Sequence, residues 1–352
     1  MGNTVFSNIH NSYFASGLAM VQDSTPRSTP SQVLDRRDEQ ATITTALTQT
    51  TDNLHVYGPR GTGKTLVIDH VLAQLPATLA TCYVSCRTAN TQYKVLHQLL
   101  EQLTDEHQGT GYHTVQLQNR VDSHLAGQDA VIVLDDLDFL LTEDGADLLY
   151  TLSRMSEAIR LVTVSATTPD LTDRLDDRTY SSLQPRTVTF SPYTVSEAVR
   201  ILTEHAVDRL EYEATDAALT RIATTTDNMR LGLHWLDQAA TASNDVITEA
   251  AVEATRTAAV QRYHDSLLTP FSRHHQILLE AITLLTAEHD TVRSGTVYDW
   301  YETLCSTLDQ RPMSTRRISD YLTHLELLGI INVDHHDGGA EGKTRILRLQ
   351  HL

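Results

Sequence analysis

Gly58-Pro59-Arg60-Gly61-Thr62-Gly63-Lys64-Thr65 decides the fold. The octapeptide fits G-x-x-x-x-G-K-[ST] without a mismatch, and the apolar run Leu54-His55-Val56-Tyr57 stands directly before it. Glycines at these places let backbone N–H groups converge on phosphate oxygens. The helix expected over Lys64–Leu75 aims the positive end of its dipole at them. In that geometry Lys64 reaches the β- and γ-phosphates of a nucleotide and the Thr65 hydroxyl ligates Mg²⁺. All eight residues, Gly58 to Thr65, are therefore candidate nucleotide ligands.

The sequence downstream continues the alternation of strand and helix that such a loop needs. Short apolar runs recur at 54–58, 81–86, 131–136, 161–166 and 186–190, with helical patterns between them. Near-continuous apolar strands separated by helices predict an α/β unit whose parallel sheet is covered on both faces. The run Val131-Ile132-Val133-Leu134-Asp135-Asp136 ends in two carboxylates, as a Walker B strand does. Asp135 would hold Mg²⁺ through water, and Asp136 stands where a catalytic carboxylate belongs. The alternative is an acidic turn after a core strand.

Beyond the break Ser191-Pro192-Tyr193, only helical periodicity remains to about Thr269, with Ala198, Ile201, Leu202, His205 and Ala206 on one stripe. From Pro270 a third pattern begins. Helices are expected at 272–287, 295–310 and 314–329. A strand–turn–strand follows over Ile330–His335, the Gly-rich Asp337–Gly342 and Thr344–Leu349. Three helices and a hairpin outline a winged helix.

Several segments together narrow the class. Leu171–Leu183, followed by Val188-Thr189-Phe190-Ser191-Pro192-Tyr193, resembles the segment before the lid in archaeal origin-recognition and cell-division-cycle replication initiators. Asp227-Asn228-Met229-Arg230 resembles the start of that family's lid helix, and Arg316–Ile331 with Tyr298–Tyr301 resembles its winged helix. Pro30–Arg36 keeps the spacing of the family's box beside the nucleotide. The resemblance runs from about residue 30 to the end.

The polar stretch 1–29 before it reads as a flexible segment. The resemblance implies an AAA+ P-loop nucleotide-binding domain over 30–193, a helical lid over 194–269 and a winged-helix DNA-binding domain over 270–352. It makes Arg178 the arginine-finger candidate and Arg230 the sensor-2 arginine facing ATP or ADP. It also implies ATP-controlled binding to double-stranded origin DNA, recruitment of the replicative helicase, and assembly with other copies or paralogues on DNA.

Three departures bear on activity. The family's Walker B ends in Asp-Glu, and Asp136 is shorter by one methylene, about 1.5 Å of reach. A misplacement of about 1 Å can cost a catalytic group ~100-fold. The sensor-1 asparagine is matched by Ala166, which cannot orient water, with Thr167 as a partial substitute. Slow or absent hydrolysis with retained ATP binding is the expectation. The wing, Asp334–Arg345, keeps Lys343 and Arg345 but carries more acid than a DNA-contacting wing should.

On a wheel of 315–328, Ile318, Tyr321, Leu322, Leu325 and Leu328 share a core face. Arg316, Asp320 and Thr323 lie opposite, with Arg317 at the flank. A helix-turn-helix presents that face and its N-terminal residues to the major groove. Arg316, Arg317, Thr323, Lys343 and Arg345 are thus the DNA-binding candidates. The same face would also suit a winged helix that binds protein. Two alternatives therefore stand: a non-hydrolysing ATP- and DNA-binding paralogue acting as regulator or plasmid replication factor, and an AAA+ adaptor whose winged helix binds protein.

The net charge is −18, with three lysines, Lys64, Lys94 and Lys343, among 27 basic residues. An acidic, lysine-poor surface suits molar salt, where the Debye length is about 3 Å and self-repulsion costs little. That points to a haloarchaeal, cytoplasmic protein. A partner with a basic surface is the alternative. No run of apolar residues is long enough to span a membrane, and the N-terminus lacks a secretory pattern; Gly2 and Ser7 match a myristoylation site only in part. Cys82, Cys86 and Cys305 read as small buried hydrophobes, and His274-His275 and His335-His336 as surface residues.

Overall fold

The computed structural model describes residues 33–104, 111–337 and 343–350. The N-terminal segment 1–29, the start of the Pro30–Arg36 box and the wing tip 338–342 lie outside the described residues. So do the side chains of His335, His336 and Lys343.

Among the described residues, five strands form one parallel sheet: β1 (Leu54–Tyr57), β2 (Ala80–Ser85), β3 (Ala130–Asp135), β4 (Ile159–Ser165) and β5 (Arg186–Thr189), in the order β2-β3-β4-β1-β5. Leu54 stands opposite Val162 on one side and Arg186 on the other, and Ser85 opposite Asp135. β3 and β4 are buried along their whole length, which is why they read as unbroken apolar runs.

Alternate residues of β3 feed two cores. Val131 and Val133 pack with Ile43 and Leu47 of α1 (Arg37–Gln49) and Val67 and Ile68 of α2 (Lys64–Gln74). Ile132 and Leu134 join the cluster of Leu96 and Leu99 of α3 (Gln92–Thr104), Val121 of α4 (Thr114–Leu125) and Leu148 of α6 (Gly145–Met155). The period of two along a strand therefore places helices on both faces. The cysteines are buried, and burial pushes the Cys82 thiol up to about 11, so the reading as small hydrophobes agrees with their surroundings.

Four helices follow: α8 (Val195–Arg209), α9 (Asp216–Thr225), α10 (Met229–Ala242) and α11 (Glu249–Leu268). Thr194, Thr215, Asn228 and Thr248 each accept a backbone N–H of the turn they open, so local capping sets all four starts. Leu202, Leu219, Trp235 and Val252 fill the bundle, and Trp235 donates to Val252 O at 2.7 Å.

The last part comprises α12 (Arg273–Thr286), β6 (Val292–Arg293), α13 (Ser294–Thr307), α14 (Thr315–Leu327), β7 (Ile331–Asp337) and β8 (Lys343–Leu349). Its antiparallel sheet has the order β6-β8-β7. β6 escapes sequence reading because two residues carry no period. Ile318, Leu322, Leu325 and Leu328 of the α14 segment are buried, with Tyr321 half-buried beside them.

One expectation is corrected. His275 is not a surface residue: it is 4% exposed, bonded to Ser272 Oγ at 3.0 Å and to His324 at 3.1 Å. An adjacent pair on a helix divides between faces about 100° apart, and this one turns inward.

Candidate nucleotide site and DNA-reading helix

The strand-to-helix turn after β1 leaves little room for side chains. A Cβ at Gly58 would lie 2.3 Å from Phe190 O, and Gly61 and Gly63 sit at φ +79° and +88°, open to glycine but not to a branched residue. A Cβ at Gly61 would stand 2.1 Å from Asn228 Oδ1, so the loop abuts the N-terminus of α10. Thr62 is buried and its hydroxyl donates to Pro59 O at 2.9 Å. Lys64 donates to the carbonyl oxygens of Gly58 and, at 2.8 Å, Pro59. Burial, aided by the nearby Arg60, lowers its pKa to about 8, against the opposing pull of Asp135, Asp136 and Asp138.

Arg36 clamps this turn to the start of the helical bundle. Its Nε donates to Thr62 O at 3.1 Å, Nη2 to Ser191 O at 2.6 Å, and the guanidinium lies 4.0 Å from the Tyr193 ring centre. Tyr193, Val195 and the turn Ala223–Asp227 line an open cleft of about 470 Å³ beside it.

β1 and β3 end at the same edge, which brings Thr65 to Asp135: Thr65 Oγ1 donates to Asp135 Oδ2 at 2.8 Å, and Tyr83 donates to the same oxygen. Burial and the neighbouring Asp136 charge raise the Asp135 pKa. Asp136, at φ +53°, is held in a different way. Arg87 Nε stands 2.6 Å from its Oδ2 and Arg60 Nη1 3.4 Å from its Oδ1. Burial pushes Asp136 up, but the two guanidiniums outweigh it and lower its pKa. The cluster Thr65–Asp135–Tyr83 supplies hard oxygen donors suited to Mg²⁺. The left-handed glycines and Lys64 likewise fit a polyphosphate.

Asp138, fully buried, ties the end of β3 to the end of β4. It accepts from Ser165 Oγ, Thr167 Oγ1 and Thr168 Oγ1, each at 2.7 Å, and from Ala166 N at 2.9 Å. Burial raises its pKa, yet these bonds leave it lowered. Thr167, the residue next to Ala166, therefore spends its proton on Asp138.

The two remaining arginines are placed apart. Arg230, in the first turn of α10, keeps an exposed surface; partial desolvation and then the nearby Arg87 lower its pKa. Arg178, on α7 (Asp177–Leu183), is exposed and stacks 3.8 Å over the ring of Tyr150 on α6. Sequence reading missed Arg87, Asp138 and Tyr83. The available signals were position only: Arg87 follows a strand at the phosphate edge, and Ser165-Ala166-Thr167-Thr168 is a run of hydroxyls facing Asp138.

On α14, Arg316 and Arg317 are exposed at the N-terminal turn. Thr323 is half-buried and donates to Ser319 O at 3.2 Å, while Arg345 of β8 donates to the same oxygen at 3.4 Å. Arg345 thus ties wing to helix. Lys343 pairs with Asp337 in the ladder.

With this geometry in hand, the chain can be set beside known proteins. The family model of the CDC6 C-terminal winged helix domain matches residues 267–351, and that of an AAA domain matches residues 47–175. The chain is 28% identical to an ORC1-type DNA replication protein of Thermococcus onnurineus, over 91% of this chain and 85% of that one. It is 29% identical to ORC1-type DNA replication protein 1 of Methanothermobacter thermautotrophicus, over 86% and 84%. The Aeropyrum pernix ORC1 protein, solved in complex with DNA, superposes with a TM-score of 0.71 at 25% identity, covering 93% of this chain and 92% of that one.

The chain is similar to Cdc6/ORC1-type AAA+ proteins along most of its length, with an AAA domain over 47–175 and a CDC6-type winged helix over 267–351. Its fold is shared with Cdc6p of Pyrobaculum aerophilum, TM-score 0.56 at 19% identity over 93% of both chains. The parallel sheet with flanking helices and the C-terminal winged helix are those of Cdc6/ORC1-type proteins.

Proposed function

We propose that this Cdc6/ORC1-type protein is an origin-binding replication initiator whose grip on duplex DNA is set by ATP and Mg²⁺, and that it recruits the replicative helicase. One observation carries the reading: a complete phosphate turn and an arginine-tipped helix-turn-helix lie in direct contact within one chain. The likeness to an ORC1 protein solved on DNA supports it.

Gly58 to Thr65 would cradle the phosphates, Lys64 would meet the β/γ oxygens, and Arg230 would close on them from the bundle. Thr65 and Asp135 would hold Mg²⁺, which neutralises charge on the phosphates and polarises the γ-phosphoryl group. Arg316 and Arg317 would enter the major groove, with Thr323, Lys343 and Arg345 along the helix and wing. Arg178, stacked on Tyr150, would act only on a neighbouring copy or paralogue. An acidic surface tuned to molar salt, as in a haloarchaeal cytoplasm, then rests binding on base contacts and shape more than on counterion release.

A second reading, a non-hydrolysing paralogue, is favoured by Asp136, whose carboxylate is engaged by Arg60 and Arg87, and by Ala166. Single-turnover hydrolysis on duplex DNA separates the two. Measurable ADP formation abolished in Lys64→Ala supports an initiator with a slow reset. Its absence, with ATP still bound, supports the paralogue. Titration of a fluorescent duplex library in 0.2 M and 2 M KCl tests the DNA reading itself; no nucleotide-dependent duplex binding at either salt would overturn it.

A further inference from the structure

The two ends of α14 face different things. Its first turn carries the exposed Arg316 and Arg317. Its last turn rests on the phosphate loop: Arg60 donates from Nε at 3.1 Å, and again from Nη2, to Leu327 O. The same guanidinium reaches Asp136 through Nη1. The amides of Leu328, Gly329 and Ile330 close on His324, Glu326 and Leu325. Leu327 O is one of the terminal carbonyls that a helix cannot satisfy internally, at the negative end of the dipole. A guanidinium there is favoured on both grounds. Beside this contact Phe139, three residues past Asp136, packs on the rings of Phe271 at 5.8 Å and His324 at 5.6 Å. Both phosphate-edge turns thus touch the winged helix through their own side chains.

We propose that Arg60 is a positioning residue that couples the nucleotide cleft to the base-reading helix. Its planar fork serves Leu327 O and Asp136 at once, and a polyphosphate with its cation at the loop competes for both the guanidinium and its carboxylate partner. Recruitment of Arg60 to the phosphates frees the last turn of α14. The helix is a rod of about 20 Å, so a small tilt at Leu327 re-aims Arg316 and Arg317. The consequence for DNA rests on the reading of α14 as the DNA-reading helix; the coupling itself does not.

Hydrogen exchange of the full chain, followed on the peptide spanning 324–330, tests it without DNA. In the wild type, ATP with Mg²⁺ should speed exchange there about tenfold, the loss expected for a charge-assisted bond. Arg60→Ala should exchange at that faster rate without nucleotide and show no further response. Arg60→Lys keeps a charge without the fork and should fall between them. A peptide from β3 serves as the reference, unchanged when the variant is folded. Equal exchange over 324–330 in the wild type and both variants would overturn the coupling. A parallel arm compares duplex affinity with and without ATP: a nucleotide effect present in the wild type and lost in Arg60→Lys supports the coupling, and one retained there contradicts it. Failure of the wild type to bind any duplex would instead remove the DNA reading of α14, with the exchange result still deciding the coupling.

Discussion

At Lys64 the chemistry of the loop is written in a proton. Its pKa of about 8 comes first from burial and then from Arg60. A bound polyphosphate restores the charged form, so ATP binding takes up a proton above pH 8 and none from this group below it. The expected result is an ATP affinity that falls by up to about tenfold per pH unit above pH 8, with proton uptake visible as calorimetric heats that change with the buffer's ionisation enthalpy. A flat profile between pH 8 and 10 would contradict the placement of Lys64. Asp138 makes a second residue-scale case. Replacing it with Ala leaves four donors on β4 and the turn after it without their acceptor, those of Ser165 and Thr168 buried. A loss of about 3–5 kcal/mol in urea unfolding is expected. Asp138→Asn, which keeps some acceptor capacity, should lose less.

At the scale of elements, α14 makes the sharpest demand. Arg316 and Arg317 are exposed, so Arg316→Ala/Arg317→Ala should leave the thermal midpoint unchanged while weakening duplex binding by at least about tenfold. A matching fall in stability would mean that the pair serves folding. The elements are also where sequence reading succeeds and fails for identifiable reasons. β3 and β4 are legible because both faces are covered, which forces continuous apolar runs; α14 is legible because its core face repeats every three or four residues. β6 has two residues and no period. His275 was misplaced because adjacency in sequence says nothing about which of two helix faces meets a neighbour. The P-loop is legible because its backbone demands glycine at fixed places, whereas Arg87, Tyr83 and Asp138 join the site only through strand order, which no local pattern carries.

Among the described residues, individual side chains link the phosphate loop to the helices of the later part of the chain. Arg36 ties the loop to the helical bundle, Arg60 and Phe139 tie it to the winged helix, and the rings of Phe271, His275, Tyr321 and His324 fill the last seam. Burial, and then the stacked His324, lower the His275 pKa to about 3; burial lowers His324 as well, against Asp320. The unfolded chain therefore binds protons below pH 6.5 that the folded chain refuses. Stability should fall as pH drops from 6.5 toward 3, by up to about 1.4 kcal/mol per unit for each histidine. Above pH 6.5 this contribution is flat. In His275→Gln the slope should shrink by about one proton, read by urea unfolding across that range.

The most direct measurement is a pull-down of sheared genomic DNA by the full chain with ATP and Mg²⁺ in molar KCl, repeated with Lys64→Ala and with Arg316→Ala/Arg317→Ala. An origin-binding initiator should enrich one or a few intergenic sites, with enrichment lost in the arginine variant and reduced in Lys64→Ala. Recovery of bulk DNA without enrichment, or the same sites from all three proteins, would contradict it.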